Sequence, residues 1–345
     1  LGLVKKSLRL LVNRMSGEDR IALAVYAGSA GTVLESTPGN EKAKILAAID
    51  ALEAGGSTHG SAGIKLAYQL AQQNLVEGGI NRVIIASDGD MNVGTVNLEA
   101  LKNLVERKRE TGIALTTLGF GSGNYNYALM EQLADVGNGN AAYIDSLKEA
   151  QKVLVNEMQS TLQTIASDVK IQVEFNPAVV AEYRLIGYEN RMLKREDFTN
   201  DKVDAGDIGA GHTVTALYEV TMVGSGGERV PELRYGNRTQ PQARDSAELA
   251  YVKLRYKQPG SSTSTELGQV VPVASLARSM DDSSSDLRFA ASVAGFGQIL
   301  QGGKYTGQWG YQDALQLARS ARGDDPHGYR GEFLHLIELA QSLSS

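Results

Sequence analysis

The stretch from Arg82 to Gly94, RVIIASDGDMNVG, constrains this chain more than any other. Four consecutive apolar residues, Val83, Ile84, Ile85 and Ala86, stop at Ser87-Asp88-Gly89-Asp90. The run is too short for a globular helix and has no polar side, so it reads as a strand buried on both faces. Carboxylates that end such a strand sit at the carboxyl edge of a parallel sheet, where open α/β folds hold their ligands. Asp88 is therefore the residue whose role most needs explaining.

The surrounding pattern supports a parallel sheet. Val4, Leu8, Leu11, Val12 and Met15 share one face of an opening helix. Residues 21–26 and 32–35 read as a strand pair joined by the Gly28–Gly31 turn, so one strand runs antiparallel. Helices are expected over 41–52, capped by Asn40, and over 61–75, burying Ile64, Ala67, Tyr68 and Ala71. After the Asp88 strand come a helix over 98–109, a strand over 113–120, a helix over 127–135, a short strand over 141–144 and a long helix over 147–165. Strands separated by helical crossovers give a mostly parallel sheet with helices on both faces, a three-layer α/β domain.

The pattern changes after Ser167. Residues 170–175, 179–186, 213–223, 250–257 and 269–273 read as strands, and alternation such as Val252-Lys253-Leu254-Arg255-Tyr256 suits an antiparallel sheet with one wet face. Tyr183, Tyr188, Tyr218, Tyr251 and Tyr256 fall in this sheet, where aromatic residues favour strands and serve packing. Helices are expected over 286–300, 311–321 and 331–343. The division expected is 1–166 for the α/β domain and 167–345 for a β-sheet plus helical domain.

Composition narrows the chemistry. A net charge of −6 over 345 residues, with no Lys/Arg stripe, argues against binding nucleic acid or anionic membranes. With no cysteine there is no disulfide, thiolate zinc site or Cys nucleophile. No apolar run reaches the roughly 18–20 residues of a membrane span. The sequence opens at Leu1, inside a helix, which leads us to expect an N-terminally truncated chain, with any signal peptide or lipid anchor lying upstream.

Several groups compete for the role of site. Thr58 closes a Gly-rich loop, Gly55-Gly56-Ser57-Thr58, and Asp88 ends its strand at the same sheet edge. Singly, Thr58 reads as a helix N-cap and Asp88 as a turn residue. Together, a hydroxyl and a carboxylate at one edge suit a hard cation such as Mg²⁺. Asp88 and Asp90 also form a DxD pair, the basis of a competing Mg²⁺-dependent phosphoryl-transfer enzyme, but no third acidic ligand, base or nucleophile presents itself. Asp90 reads better as a residue ordering its own loop. Gly119-Phe120-Gly121-Ser122-Gly123 fails the dinucleotide spacing at Asn124. His59, His212, His327 and His335 are too dispersed for a metal cluster, and no GxSxG anchors a hydrolase triad.

The GGSTHG segment at 55–60, followed by Val83 to Gly89 at this spacing, resembles a von Willebrand factor type A domain. The early hairpin resembles that family's antiparallel edge strand, Thr116 to Gly121 its later core strand, and GNGNAAYI at 137–144 its last short strand. The resemblance covers about residues 1–165. Residues 170–190 and the GDDPHGYRGE stretch at 323–332 resemble the C-terminal domain of bacterial members of poorly defined role.

The resemblance implies a non-catalytic protein-interaction or adhesion module with a metal-ion-dependent adhesion site. There Mg²⁺ or Mn²⁺, with one open position, takes an acidic side chain from a partner protein. It carries the metal-ligand role onto Thr58 and Asp88. One departure stands out: the family's DxSxS motif, which should end a first, central strand, occurs nowhere upstream of Thr58, and Leu1 to Met15 resembles the helix that follows it. Residues 1–345 alone are therefore expected to bind metal weakly or not at all. The resemblance also implies the cell envelope or periplasm.

Overall fold

A computed structural model describes residues 1–26, 30–53, 55, 60–87, 98–121, 126–157, 164–188, 192–201, 203, 205–230 and 247–344. The chain divides into two compact units. One comprises Leu1–Val169, Asp204–His212 and Tyr256–Ser264; the other comprises Lys170–Val203, Thr213–Arg255 and Thr265–Ser345.

The first unit begins with α1 (Gly2–Arg14), β1 (Arg20–Val25), β2 (Gly31–Pro38), α2 (Lys42–Asp50) and α3 (Gly60–Gln73). It continues with β3 (Asn81–Ser87), α4 (Leu98–Glu110), β4 (Ile113–Phe120), α5 (Tyr127–Val136), β5 (Ala141–Ile144) and α6 (Leu147–Gln151). Strands β3, β4 and β5 form a parallel sheet in that order. Its register runs from Asn81 opposite Ile113 to Ser87 opposite Gly119, so β3 and β4 end at the same edge. The β1–β2 hairpin is antiparallel and, among the described residues, a sheet of its own.

Side-chain alternation along the strands sets the layers. Val83, Ile85, Ile113 and Leu115 pack with Ile64 and Tyr68 of α3, Leu101 and Val105 of α4, and Met130 and Leu133 of α5. Leu118, Phe120 and Ile144 pack instead with Ala150, Leu154 and, from α1, Leu3, Val4 and Leu10. Helix α1 serves two cores, because its Val12 packs with Leu34, Ile45 and Ile49 of the hairpin and α2.

Two helix boundaries differ from those expected from the sequence. Helix α2 starts one residue later than the Asn40 cap implies: Glu41 is its N-cap residue, with no side-chain capping bond, and its N–H is spent on Pro38 O. The long helix expected over 147–165 is α only to Gln151, continues as a π turn over Lys152–Asn156, and is strand from Thr164. Thr164 and Ile165 are β-branched, and the segment finds a distant partner: Thr164 lies opposite Gly209 and Ala166 opposite Ile208.

Beyond α6 the chain is largely antiparallel. A four-stranded sheet has the order β11-β10-β6-β8, with β6 at Thr164–Phe175, β8 at Gly206–Gly209, β10 at Glu248–Lys257 and β11 at Ser264–Pro272. Strands β7 (Val180–Ile186) and β9 (Leu217–Met222) form a separate ribbon. Tyr188 lies outside the strands, at φ 63°, and its hydroxyl donates to Thr215 O at 2.9 Å. The strand expected from 213 begins only at Leu217.

The chain ends in α7 (Ser285–Leu300), α8 (Tyr311–Ser320) and α9 (Tyr329–Leu343), packed around Phe296, Ala314, Leu315, Ala318 and Ile337. Ser284 caps α7 by accepting from Leu287 N. Among the described residues no helix is long and apolar enough to cross a membrane.

Candidate metal-ion-dependent adhesion site

Strand β3 leads directly into the candidate site. Val83 and Ile85 are buried but Ile84 between them is 37% exposed, so the strand expected to be buried on both faces is, among the described residues, fully covered on one only. β3 ends at Ser87, itself 8% exposed, with Gly119 of β4 beside it. The candidate ligands Thr58 and Asp88, and with them His59 and Asp90, lie outside the described residues. Their immediate supports do not. Thr58 is two residues before Gly60, the buried first residue of α3, and Asp88 directly follows Ser87.

Those two supports meet at one side chain, Tyr26, just past the end of β1. Its hydroxyl donates to Ala86 O at 2.9 Å, one residue short of the end of β3. Its other flank lies against the first turn of α3. A Cβ built on Gly63 would stand 2.4 Å from Tyr26 Cβ and 2.8 Å from its Cγ. Only a glycine permits that approach. The chain ends that carry Thr58 and Asp88 are thus held to one anchor.

Sequence reasoning missed Tyr26. Two signals were available: a glycine inside the 61–75 helical pattern, which costs about 1 kcal/mol against alanine and so marks a close approach, and an aromatic residue at a strand end before a Gly-rich turn.

The opposite, amino end of the sheet is built differently. Arg82 is largely buried and donates from Nη1 to Thr116 Oγ1 at 2.6 Å. Burial lowers its pKa, and the nearby Asp207 carboxylate works against that. Asp207 also accepts from Asp168 N at 3.2 Å, while Asp168, 6% exposed, pairs with Lys257 at 2.8 Å. Each of these enclosed charges lies beside an opposite charge, so removing one partner would leave the other buried and uncompensated.

The GDDPHGYRGE stretch has a structural role. The enclosed Asp325 carboxylate accepts from Arg330 N at 3.1 Å and Gly331 N at 2.8 Å, at the start of α9. Burial acts to raise its pKa, but the two backbone N–H groups and Arg322 outweigh burial and hold it below the ordinary carboxylate value. His335 is exposed beside Glu338, and His327 stacks near Tyr329. Among the described residues no group of three or more His, Asp or Glu side chains could hold a metal. The chemistry of the candidate donors, one hydroxyl and one carboxylate, does fit a hard divalent cation.

Comparison with known proteins agrees with this architecture. Residues 1–168 match the von Willebrand factor type A domain, so the first part of the chain is a domain of that class. Domains of this class mediate protein interactions and can hold a divalent cation at a metal-ion-dependent adhesion site. Residues 160–343 match the family described as "Uncharacterized protein YfbK, C-terminal", and the chain belongs to that family.

The chain is 48% identical over all 345 residues to the uncharacterized protein YfbK of Escherichia coli, covering 59% of that protein. It is 29% identical over 147 residues, 43% of this chain, to the uncharacterized protein sll0103 of Synechocystis, covering 34% of it. The chain thus spans less than two thirds of either curated relative. Among solved structures, a von Willebrand factor type A protein from Catenulispora acidiphila is similar with a TM-score of 0.47 at 14% identity, over 94% of this chain and 76% of that one.

Proposed function

We propose that this chain is a non-catalytic protein-interaction module in which a divalent cation, Mg²⁺ or Mn²⁺, is held in part by Thr58 and Asp88 and takes a carboxylate from a partner protein. The observation that carries the reading is the Tyr26 anchor, which ties the last residues of β3 to the first turn of α3, the two elements next to the proposed ligands. The domain match over residues 1–168 supports it.

A hydroxyl and a carboxylate supply two oxygens, whereas Mg²⁺ takes about six, so Thr58 and Asp88 alone leave most positions to water. For residues 1–345 by themselves the affinity is therefore weaker than micromolar. A partner carboxylate at an open position forms a directional bond that is lost on chelation. We extend the proposal to location, the cell envelope or periplasm, where such a module would meet a partner with an exposed acidic side chain.

The test is capture of envelope proteins by the full-length protein in millimolar Mg²⁺ and again in EDTA. Capture that disappears with EDTA supports the cation mechanism; capture that survives EDTA unchanged contradicts it.

A further inference from the structure

Helix α7 lacks a polar face beyond its first turn. From Phe289 to Leu300 only Ser292 and Gln298 carry polar side chains, and both are engaged inside the fold. Ser292 Oγ donates to Ala314 O at 2.7 Å, and Gln298 Oε1 accepts from Arg184. A helix that is apolar all round is normally covered all round. Val293 and Leu300 are nevertheless 44% and 59% exposed.

These two residues share a stripe with Asp286, at seven-residue spacing, and Asp286 pairs with Arg330 of α9 at 2.7 Å, so the stripe borders α9. Helix α9 carries a matching stripe. Its Glu338 and Gln341 reach Arg319 and Gln312 of α8, whereas Leu336, Leu339 and Leu343 lie on the side turned from α8 and are 51%, 55% and 79% exposed. The Asp286–Arg330 pair joins the starts of α7 and α9, and Phe296 and Ser344 both reach Tyr311 near their ends, so the two helices run parallel. Phe333 stands 5.3 Å from Phe289 and 5.6 Å from Phe296, ring centre to ring centre, and these rings floor the seam between the two stripes.

The five aliphatic side chains leave on the order of 500 Å² of apolar surface, at the upper end of the largest patch on a typical monomer, roughly 300–600 Å². Two such patches supply the apolar share, about 60%, of a standard interface of roughly 1,600 Å². The face is also self-complementary. A seam of this kind takes a helix with apolar residues at i, i+3 and i+7, and α9 is itself such a helix. Glu338 is the one charged residue between Leu336 and Leu343, and it is turned to Arg319, so two copies would meet without like-charge repulsion.

We propose that this face joins two copies of the chain. Helix α9 of each copy lies antiparallel to that of the other about a twofold axis near Leu339, so that Leu336 of one meets Leu343 of the other. The proposal rests on α7 and α9 alone and is independent of the cation reading.

The experiment is sedimentation equilibrium on the 345-residue chain from about 1 to about 200 µM, with and without EDTA. It is repeated on Leu343→Lys, on Leu336→Lys/Leu343→Lys, and on Ile80→Lys, which alters a 57% exposed residue in the other unit. Leu343 is the most exposed of the five, so Leu343→Lys should keep the parent melting temperature. The expected result is a reversible dimer with a dissociation constant of about micromolar order, unchanged by EDTA and by Ile80→Lys. Placing an ammonium group against leucines should weaken it at least about tenfold in Leu343→Lys and further in the double variant. A chain still monomeric at the highest concentration, a dimer lost in EDTA, a dimer indifferent to both leucine variants, or one weakened equally by Ile80→Lys would each overturn the proposal.

Discussion

Gly63→Ala probes the anchor between α3 and β1 directly, because two effects of opposite sign compete there. In an unobstructed helix interior, alanine is worth about 0.8–1.0 kcal/mol over glycine. Here the new methyl would lie 2.4 Å from Tyr26 Cβ and 2.8 Å from Cγ. Cβ is fixed by the backbone, so no rotamer change relieves the closer contact, and β1 or α3 must shift. Overpacking of that kind costs about 1–3 kcal/mol. The clash should win, with Gly63→Ala net destabilising by up to roughly 2 kcal/mol.

Replacing Tyr26 by glycine removes the obstruction, and in that background Gly63→Ala should become stabilising by about 1 kcal/mol. The single tryptophan, Trp309, packs in the helical core of the other unit and reports on that core. Hydrogen exchange read over α3 and β3 is the suitable assay, with about tenfold in opening equilibrium for each 1.4 kcal/mol. If Gly63→Ala slows exchange in the native background as much as in the Tyr26→Gly background, Tyr26 does not lie against α3 and the anchor is wrong.

Other consequences are smaller but separable. Asp325→Ala should destabilise the α7–α9 core by about 1–2 kcal/mol through the loss of its cap, read by Trp309 fluorescence in urea. Because the folded pKa of Asp325 is lowered, its stabilisation is fully present above the ordinary carboxylate pKa and is lost as pH falls through the folded value. Acid unfolding of the α9 end should thus be shallower in Asp325→Asn, and an identical acid profile would contradict the assignment. Gly295→Ala should cost about 1–3 kcal/mol and shift Trp309 emission, since a Cβ there would lie 2.2 Å from the indole ring; an unchanged spectrum and stability would refute that packing. Calorimetry on residues 1–345 should show Mg²⁺ affinity weaker than micromolar, and a micromolar constant would mean that Thr58 and Asp88 have ligands not foreseen from the sequence.

What could be read from sequence follows the range of the interactions involved. Strand β3 was legible because a four-residue apolar run ending in Ser87-Asp88 admits few structures, and α3 because Ile64, Ala67, Tyr68 and Ala71 repeat at helical spacing. Strand β8 was not, because Gly206–Gly209 is too short and too glycine-rich to show alternation; it exists through its pairing with β6. The same distant pairing turned Thr164 and Ile165 from an expected helix end into strand. At the site, local composition singled out Thr58 and Asp88 as oxygen donors, but Tyr26 is 60 residues from Ala86 in sequence and its bond cannot be inferred from any local window.

The central claim is that Thr58 and Asp88 face one cation at the carboxyl edge of the sheet. Paramagnetic broadening by Mn²⁺ on the ¹⁵N-labelled chain tests it even at weak affinity. The account predicts broadening centred on the amides of Gly60 and Ser87, removed by Asp88→Ala and reduced by Thr58→Ala. Broadening centred elsewhere, or unchanged by Asp88→Ala, would contradict it.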